Sequence, residues 1–150
     1  MGTRRRSREL AMQALFSMDM GENDPEEVLG RFREHFTFSK KALPFFLKLV
    51  KGVMEFGAVI DPLIERFSDH WKMSRMSSVD RNILRVAVYE MIYCEDIPAK
   101  VSINEAIDIG KKFGTDETGA FINGILDGIR LALEKEDIQI EAEIGKNGSN

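Results

Sequence analysis

The sequence has few of the side chains that usually carry enzyme chemistry or cross-links. Its one cysteine, Cys94, excludes an internal disulfide framework. His35 and His70 are the only histidines, and no pair of histidine or cysteine residues has the spacing of a metal site. The sequence contains neither a Gly-x-x-x-x-Gly-Lys loop nor a Gly-x-Gly-x-x-Gly motif. These absences disfavour an enzyme, and we expect no metal and no cofactor.

Long apolar runs are also missing. No stretch of eighteen apolar residues occurs, and the amino terminus lacks the apolar core of a signal peptide. The apolar fraction of 43% and the charged fraction of 31% are ordinary for a globular chain. The chain of 150 residues is long enough to bury a sizeable core. Because apolar runs are missing, we expect a cytoplasmic protein without membrane association.

The net charge of -4 is unevenly distributed along the chain. The first eight residues hold four cations and no acid, namely Arg4, Arg5, Arg6 and Arg8. Residues 134–150 hold five acids against two lysines, and this acidic tail is expected to be partly disordered. A concentrated basic start on an acidic chain predicts a local anion-binding site.

Residues 77–93 form the segment around which the rest of the chain is organised. This segment contains no glycine or proline, and it is apolar over most of a helical circumference. At 100° per residue, one side is filled by Ile83, Leu84, Ala87 and Met91. Such a helix must be surrounded by other helices. The pattern predicts the central buried helix of an all-α domain.

Local start signals divide the rest of the chain into further helices. Asp24-Pro25 and Asp61-Pro62 each combine a capping aspartate with a proline at the first helical position. Trp71 is expected on the inner side of the helix after Pro62, and Ser102 with Glu105 fits a capping box. The sequence therefore predicts about seven helices. We expect domain 1–133 to form two packed subdomains, about 1–72 and 73–133, joined by a hinge near residue 73.

The first predicted helix combines arginine and aromatic side chains on one side. Arg5, Arg8, Met12 and Phe16 fall within about 80° of one another, roughly opposite the apolar stripe that faces the core. Guanidinium groups neutralise phosphates, and an exposed ring offers a stacking surface for an unpaired base. A solvated basic end beside a phenylalanine that another helix covers explains the same pattern. Phe121 can likewise be interpreted either as a stacking surface or as a phenylalanine packed in the core.

Three blocks of the sequence resemble the NusB family of bacterial transcription antitermination factors. The first two blocks are residues 4–16 and residues 79–90. The third block, residues 97–127, contains Ile97-Pro98, Val101 to Ile107, Phe113-Gly114 and Phe121 to Asp127. They occur in the family's order and spacing, so the resemblance covers residue 3 to about 133. It implies two helical subdomains and a non-catalytic role. With NusE, a ribosomal protein, such factors bind the boxA element of nascent RNA and make RNA polymerase resist termination, notably on ribosomal RNA operons.

The resemblance also implies roles for individual residues of this sequence. The positions matching the family's RNA-binding surface are Arg4, Arg5, Arg6, Arg8, Phe16, Glu117 and Phe121. Asp80 and Arg81 match positions on the side that faces NusE. Ala120 departs from the pattern, because relatives often carry lysine there, and one phosphate contact is expected to be missing.

Two alternatives from other classes stay open at this point. A related helical domain occurs fused to ribosomal RNA methyltransferases, although no methyl-donor-binding segment is found within these 150 residues. A protein adaptor or homodimer, with arginines that only increase solubility, is the other. The sequence leaves open whether the free protein is a monomer or a homodimer.

Overall fold

The computed structural model describes residues 2–21, 24–69 and 71–135. This part of the chain forms six α-helices and one 3₁₀ turn: α1 (Gly2–Met20), α2 (Pro25–His35), α3 (Ala42–Phe67), the 3₁₀ turn (Met73–Arg75), α4 (Ser78–Tyr93), α5 (Ala99–Phe113) and α6 (Thr118–Glu134). It contains no strand, so the predicted all-α fold is confirmed. His70 and the predicted disorder of residues 136–150 lie outside the described residues.

The helix α4 occupies the centre of the fold, as predicted. It packs against α1, α3, α5 and α6. Ile83, Leu84 and Val88 are each at most 2% exposed, whereas Met91 in the last turn is only partly buried. The helix begins where Ser77 accepts a hydrogen bond from the backbone N–H of Asp80 at 3.0 Å, because a serine oxygen satisfies a free first-turn donor.

The long helix α3 replaces the two helices that were predicted around Pro62. Its backbone departs from helical geometry only at Phe56, with φ -105° and ψ 18°, and Pro62 lies inside the helix. The predicted helix start at Asp61 is therefore wrong. The Asp61 carboxylate instead accepts hydrogen bonds from Nε and Nη2 of Arg85, both at 2.9 Å. A kink replaces the expected break, which gives six helices rather than seven.

The predicted capping box at the start of α5 is also wrong. The helix begins at Ala99, three residues before Ser102, so Ser102 and Glu105 lie beyond its first free donors. Residues three apart share a face of a helix, and here that face meets α1 and α4. The Ser102 hydroxyl donates to Glu90 Oε1 at 2.9 Å. The spacing that resembles a cap therefore serves contacts between helices.

The core is continuous through the molecule. Buried apolar side chains from all six helices form one connected cluster. Close packing of α3 on α4 requires a glycine, because a Cβ at Gly52 would lie 2.2 Å from the ring of Tyr89. The division into subdomains near residue 73 stays a prediction. Within the described residues, no helix is long and apolar enough to cross a membrane.

Candidate nucleic-acid interface

Arg8 lies inside the protein, so the expectation that it projects from the surface is wrong. Its side chain is 4% exposed, and its Nε and Nη2 each donate to one oxygen of Glu90 at 2.8 Å. Its Nη1 donates to Glu105 at 3.2 Å. Met12, one turn further on, is also buried. Carboxylates of α4 and α5 cover this side of α1, which periodicity within α1 alone does not reveal.

Arg5 lies nearer the surface and is held by two carboxylates of α5. Its Nε donates to Glu105 at 3.1 Å, and its Nη2 contacts both the second oxygen of Glu105 and Asp108, the latter at 2.8 Å. The hydrogen bond from Arg5 is the largest influence on Glu105 and holds the pKa of that carboxyl below its ordinary value. The Arg5 side chain keeps 37% of its surface exposed.

Arg4 and Arg6 are the most accessible of the four arginines. Arg4 donates to Asp96 at 2.9 Å and lies over the ring of Phe45, 5.0 Å from its centroid. Arg6 lies over the ring of Phe36, with its Nη1 3.9 Å from a carboxylate oxygen of Glu9. Both side chains are about half exposed.

The basic start of α1 is thus electrically balanced. The cations here are Arg4, Arg5, Arg6, Arg8 and Lys112, and the carboxylates within 4.0 Å of them are Glu9, Glu90, Asp96, Glu105 and Asp108. Phe16 is partly buried against the core, so only part of its ring faces solvent. Any polyanion that binds here must compete with these carboxylates.

The other end of α1 carries a single acid that serves as a hydrogen-bond hub. Asp19 Oδ2 accepts from Arg81 at 3.0 Å, Asn82 at 2.8 Å and Arg85 at 3.0 Å, all on α4. Burial of Asp19 opposes its ionisation. The hydrogen bond from Asn82 and the charges of Arg85 and Arg81 outweigh that effect and hold the pKa of Asp19 below its ordinary value.

Arg81, a predicted partner contact, is engaged within the fold. Besides Asp19, its guanidinium reaches the backbone oxygens of Met73 at 2.9 Å and Met76 at 3.5 Å. It therefore ties the 3₁₀ turn to the start of α4, and its side chain is only 16% exposed. Its role towards a partner stays a prediction, and this geometry favours an indirect role through the 3₁₀ turn.

An aromatic groove lies between the 3₁₀ turn and the start of α6. Trp71 is 52% exposed, contrary to its predicted inner position, because it follows α3 rather than belonging to a helix. Its ring meets Phe121 edge to face, with 6.2 Å between centroids. The Thr118 hydroxyl donates to Asp80 at 3.0 Å and joins the two walls. The groove, of about 310 Å³, is lined by Trp71, Arg75, Met76, Ser77, Asp80, Thr115, Glu117, Thr118 and Phe121.

A second groove of about 500 Å³ runs between α5 and α6. It is lined by Ile107, Lys111, Gly114, Thr115, Asp116, Gly119, Ala120 and Asn123. Thr115 lines both grooves, so the two are neighbours. Lys111 is exposed beside Asn123, a side chain that can hydrogen-bond to a base edge. Lys111 is absent from the predicted site residues, although the adjacent lysines Lys111 and Lys112 are visible in the sequence and indicate a local positive charge.

The thiol of Cys94 is the one cysteine side chain in the described residues, and its surroundings do not activate it. Burial is the largest influence on Cys94 and raises the pKa of its thiol, which keeps the thiol protonated and unreactive. Across the described ranges, no group of three or more histidine, cysteine, aspartate or glutamate side chains could hold a metal ion.

The sequence model of the NusB family matches residues 5–130. The chain belongs to the NusB family. A NusB transcription antitermination protein from Desulfatibacillum aliphaticivorans is 55% identical over 137 residues, covering 91% of this chain and 96% of the relative. The one from Myxococcus xanthus is 45% identical over 139 residues, covering 90% and 99%.

Solved structures of the NusB family have the same fold. NusB from T. maritima matches with a TM-score of 0.80 and 40% identity over 90% of this chain and 97% of that one. A chain from the crystal structure of antitermination factors NusB and NusE in complex with double-stranded RNA matches with a TM-score of 0.79. Its identity is 28%, over 88% of this chain and 98% of that chain.

Proposed function

We propose that this protein is a non-catalytic, RNA-binding transcription antitermination factor. Together with NusE it binds boxA-type single-stranded RNA and helps RNA polymerase read through terminators, notably in ribosomal RNA operons. The observation that carries the proposal is the family match over residues 5–130, with relatives named as antitermination proteins. Because the proposed role is on nascent transcripts within an RNA polymerase complex, we infer a cytoplasmic location.

The RNA surface that we propose begins at the exposed arginines of α1. Arg4, Arg5 and Arg6 supply phosphate contacts, whereas Arg8 is buried against Glu90 and serves the fold. Phe16 offers the exposed part of its ring for stacking, which is worth about 1–3 kcal/mol per base.

The RNA path then continues along α5 to the start of α6. Asp108, which contacts Arg5, and Lys111 are three residues apart on α5, so Arg5 lies near the α5–α6 groove. Lys111 supplies a further phosphate contact there, and Asn123 and Phe121 reach the bases. This adds Lys111 and Asn123 to the predicted contacts.

NusE, by contrast, is proposed to occupy the aromatic groove. Asp80 and Glu117 place two negative charges there against the one positive charge of Arg75, which disfavours phosphate and favours a cationic protein surface. A cation over Trp71 gains further stabilisation from the ring. Glu117 and Phe121 line the aromatic groove, which shares Thr115 with the α5–α6 groove, so both partners meet near the start of α6. Arg81 contributes by holding the 3₁₀ turn in place.

The single tryptophan of the sequence makes this assignment testable. NusE is expected to change the fluorescence of Trp71, and boxA RNA alone is expected to change it much less. Asp80→Lys should weaken NusE binding about tenfold or more, since like charges across an interface cost several kcal/mol. It should leave the RNA affinity of the free protein within about twofold. Asp127→Lys, on the exposed side of α6, is the matched control.

Either of two results would contradict the groove assignment. One is equal loss of RNA and NusE binding in the Asp80→Lys variant. The other is NusE binding that leaves the Trp71 emission unchanged.

The balanced charge around α1 favours one second candidate, a protein adaptor or homodimer that does not bind RNA. In that case a second copy of the chain would occupy the aromatic groove. RNA affinity measured for the wild-type protein and for the Arg4→Ala/Arg5→Ala variant separates the two, because the adaptor predicts no RNA binding by either form. A concentration series by analytical ultracentrifugation tests the homodimer.

A further inference from the structure

Two surface acids hold the arginines that are proposed to meet RNA. Asp96, in the connection between α4 and α5, lies 2.9 Å from Arg4, and the two side chains are 62% and 51% exposed. Asp108, near the middle of α5, lies 2.8 Å from Arg5, with 45% and 37% exposed. Each acid thus reaches across to α1 from another element.

These two ion pairs are expected to contribute little to the free energy of unfolding. Exposed ion pairs contribute little to folding, because solvent screens them and ordering the side chains costs entropy. Neither acid lies in the first turn of a helix, where an acid would offset the helix dipole. Their main physical effect is to occupy guanidinium groups at the surface.

A carboxylate and a phosphate bind the same face of a guanidinium group. Both accept hydrogen bonds from its planar set of N–H donors, often in pairs. Asp108 shares Nη2 of Arg5 with Glu105, and Asp96 takes Nη2 of Arg4. A phosphate oxygen must therefore displace these acids or bind beside their negative charges.

We propose that Asp96 and Asp108 set the RNA affinity of the free protein low by competing with phosphate for Arg4 and Arg5. The inference rests on the proposed function, since it assumes that these arginines contact RNA. Phosphate contacts carry no sequence information directly, so the competition weakens binding to all RNA sequences alike. The free protein then leaves most transcripts unbound until NusE supplies additional contacts.

Glu105 belongs to a different class from these two acids. Its side chain is only 16% exposed, and it also accepts a hydrogen bond from the buried Arg8. Removing its charge would disturb the interior as well as the surface. The ion pairs of Asp96 and Asp108 are made with partly exposed arginines, so these two acids allow the competition to be measured in a folded protein.

The test compares wild-type protein with the Asp96→Asn/Asp108→Asn double variant. Affinities are measured for a boxA-like RNA and for an unrelated single-stranded RNA of equal length, across a salt series. We expect binding of both RNAs to tighten about twofold to fivefold per substitution, the range of exposed ion-pair energies expressed as affinity. The slope of log affinity against log salt should steepen, because more counterions are released.

Two controls make the test specific. Asp127→Asn removes an acid of similar exposure that pairs with Arg130 on α6, and it should leave RNA affinity unchanged. Adding Arg4→Ala and Arg5→Ala to the double variant should abolish the gain. Melting temperatures within about 2 °C of wild type would confirm that the fold is intact.

Unchanged or weaker RNA binding by the double variant would overturn the inference and leave the proposed function standing. An equal gain in Asp127→Asn would also overturn it, since the effect would then be one of net charge. If wild-type protein with NusE binds no RNA at low salt, the proposed function fails, and this inference fails with it.

Discussion

The two ends of α1 carry opposite charges, and each end contacts residues of α4 that have the opposite charge to its own. At the amino-terminal end, Arg8 is buried against Glu90 near the end of α4. At the carboxyl-terminal end, Asp19 accepts hydrogen bonds from Arg81 and Arg85 near the start of α4. The two helices are therefore antiparallel, with an ion pair at each end of their contact.

Both charges would destabilise α1 if it were an isolated helix. Cations are unfavourable near a helix amino terminus and anions near its carboxyl terminus, because the helix dipole has the same sign there. The first turn of α1 has no acid and its last turn no base. Its charges are compensated by α4 and α5 instead. They fix which part of α4 each end of α1 contacts, over about 16 Å between residues 8 and 19.

The comparison also shows a difference in burial. Arg8 and Glu90 are almost completely enclosed, at 4% and 1% exposed, whereas the Asp19 side chain is 23% exposed. A buried ion that loses its partner costs far more free energy than a partly solvated one. The amino-terminal pair should therefore be the more sensitive to substitution.

The largest effect is expected from breaking the buried pair. Glu90→Ala leaves Arg8 without its main partner and Ser102 without its acceptor, so the free energy of unfolding should fall by about 3–5 kcal/mol. Urea denaturation measures this loss. A loss below about 1 kcal/mol would show that Glu105 or water compensates Arg8, and that burial of the pair is not what distinguishes the two ends.

A matched double substitution sharpens the same point. Arg8→Met with Glu90→Gln removes both charges and keeps an acceptor for Ser102, so it should recover most of the stability lost in Glu90→Ala. Urea denaturation of the two variants shows how much of the lost stability returns. A double variant no more stable than Glu90→Ala would mean that the side chains act through shape rather than charge.

A smaller effect is expected at the other end. Asp19→Asn should cost about 1–3 kcal/mol at neutral pH, because Arg81 and Arg85 lose a charged acceptor while Arg85 keeps Asp61. The folded-state pKa of Asp19 is lowered, so its contribution is present above about pH 4 and is lost as the pH falls further. Stability curves of the two proteins against pH should therefore converge in acid. Parallel curves would contradict this.

The smallest effect is expected at the surface of the amino-terminal end. Arg6 is about half exposed, and its ion pair with Glu9 is long, at 3.9 Å. Arg6→Ala should therefore change the free energy of unfolding by less than about 0.5 kcal/mol. Thermal melting checks this. A shift of several degrees would mean that its position over the Phe36 ring contributes more than exposure suggests.

The sequence was sufficient for those features that depend on neighbours along the chain. The apolar circumference of α4 was predicted because it follows from local spacing. Asp61-Pro62 and Ser102 with Glu105 fit the same local rules, yet those side chains contact Arg85, Arg5 and Glu90 in other helices. Spacing cannot distinguish a capping acid from one that pairs across the fold.

The candidate site shows the same limit. The arginines of α1 were identified from composition, but the separation of the buried Arg8 from the exposed Arg4 depends on carboxylates about 80 to 90 residues away. Asp80 and Phe121 were assigned to different partners, and the structure places both in the aromatic groove. Trp71 was expected inside because its helix was predicted to extend further than it does.

The most direct test asks which arginines of α1 contact RNA and which stabilise the fold. RNA affinity across a salt series is measured for Arg4→Ala/Arg5→Ala and for Arg8→Met/Glu90→Gln. The first variant should lose RNA affinity and flatten the salt slope by up to about 1.4, since each phosphate contact on single strands contributes about 0.7. The second should keep the wild-type slope. A flattened slope in the second variant and an unchanged one in the first would contradict the division of roles.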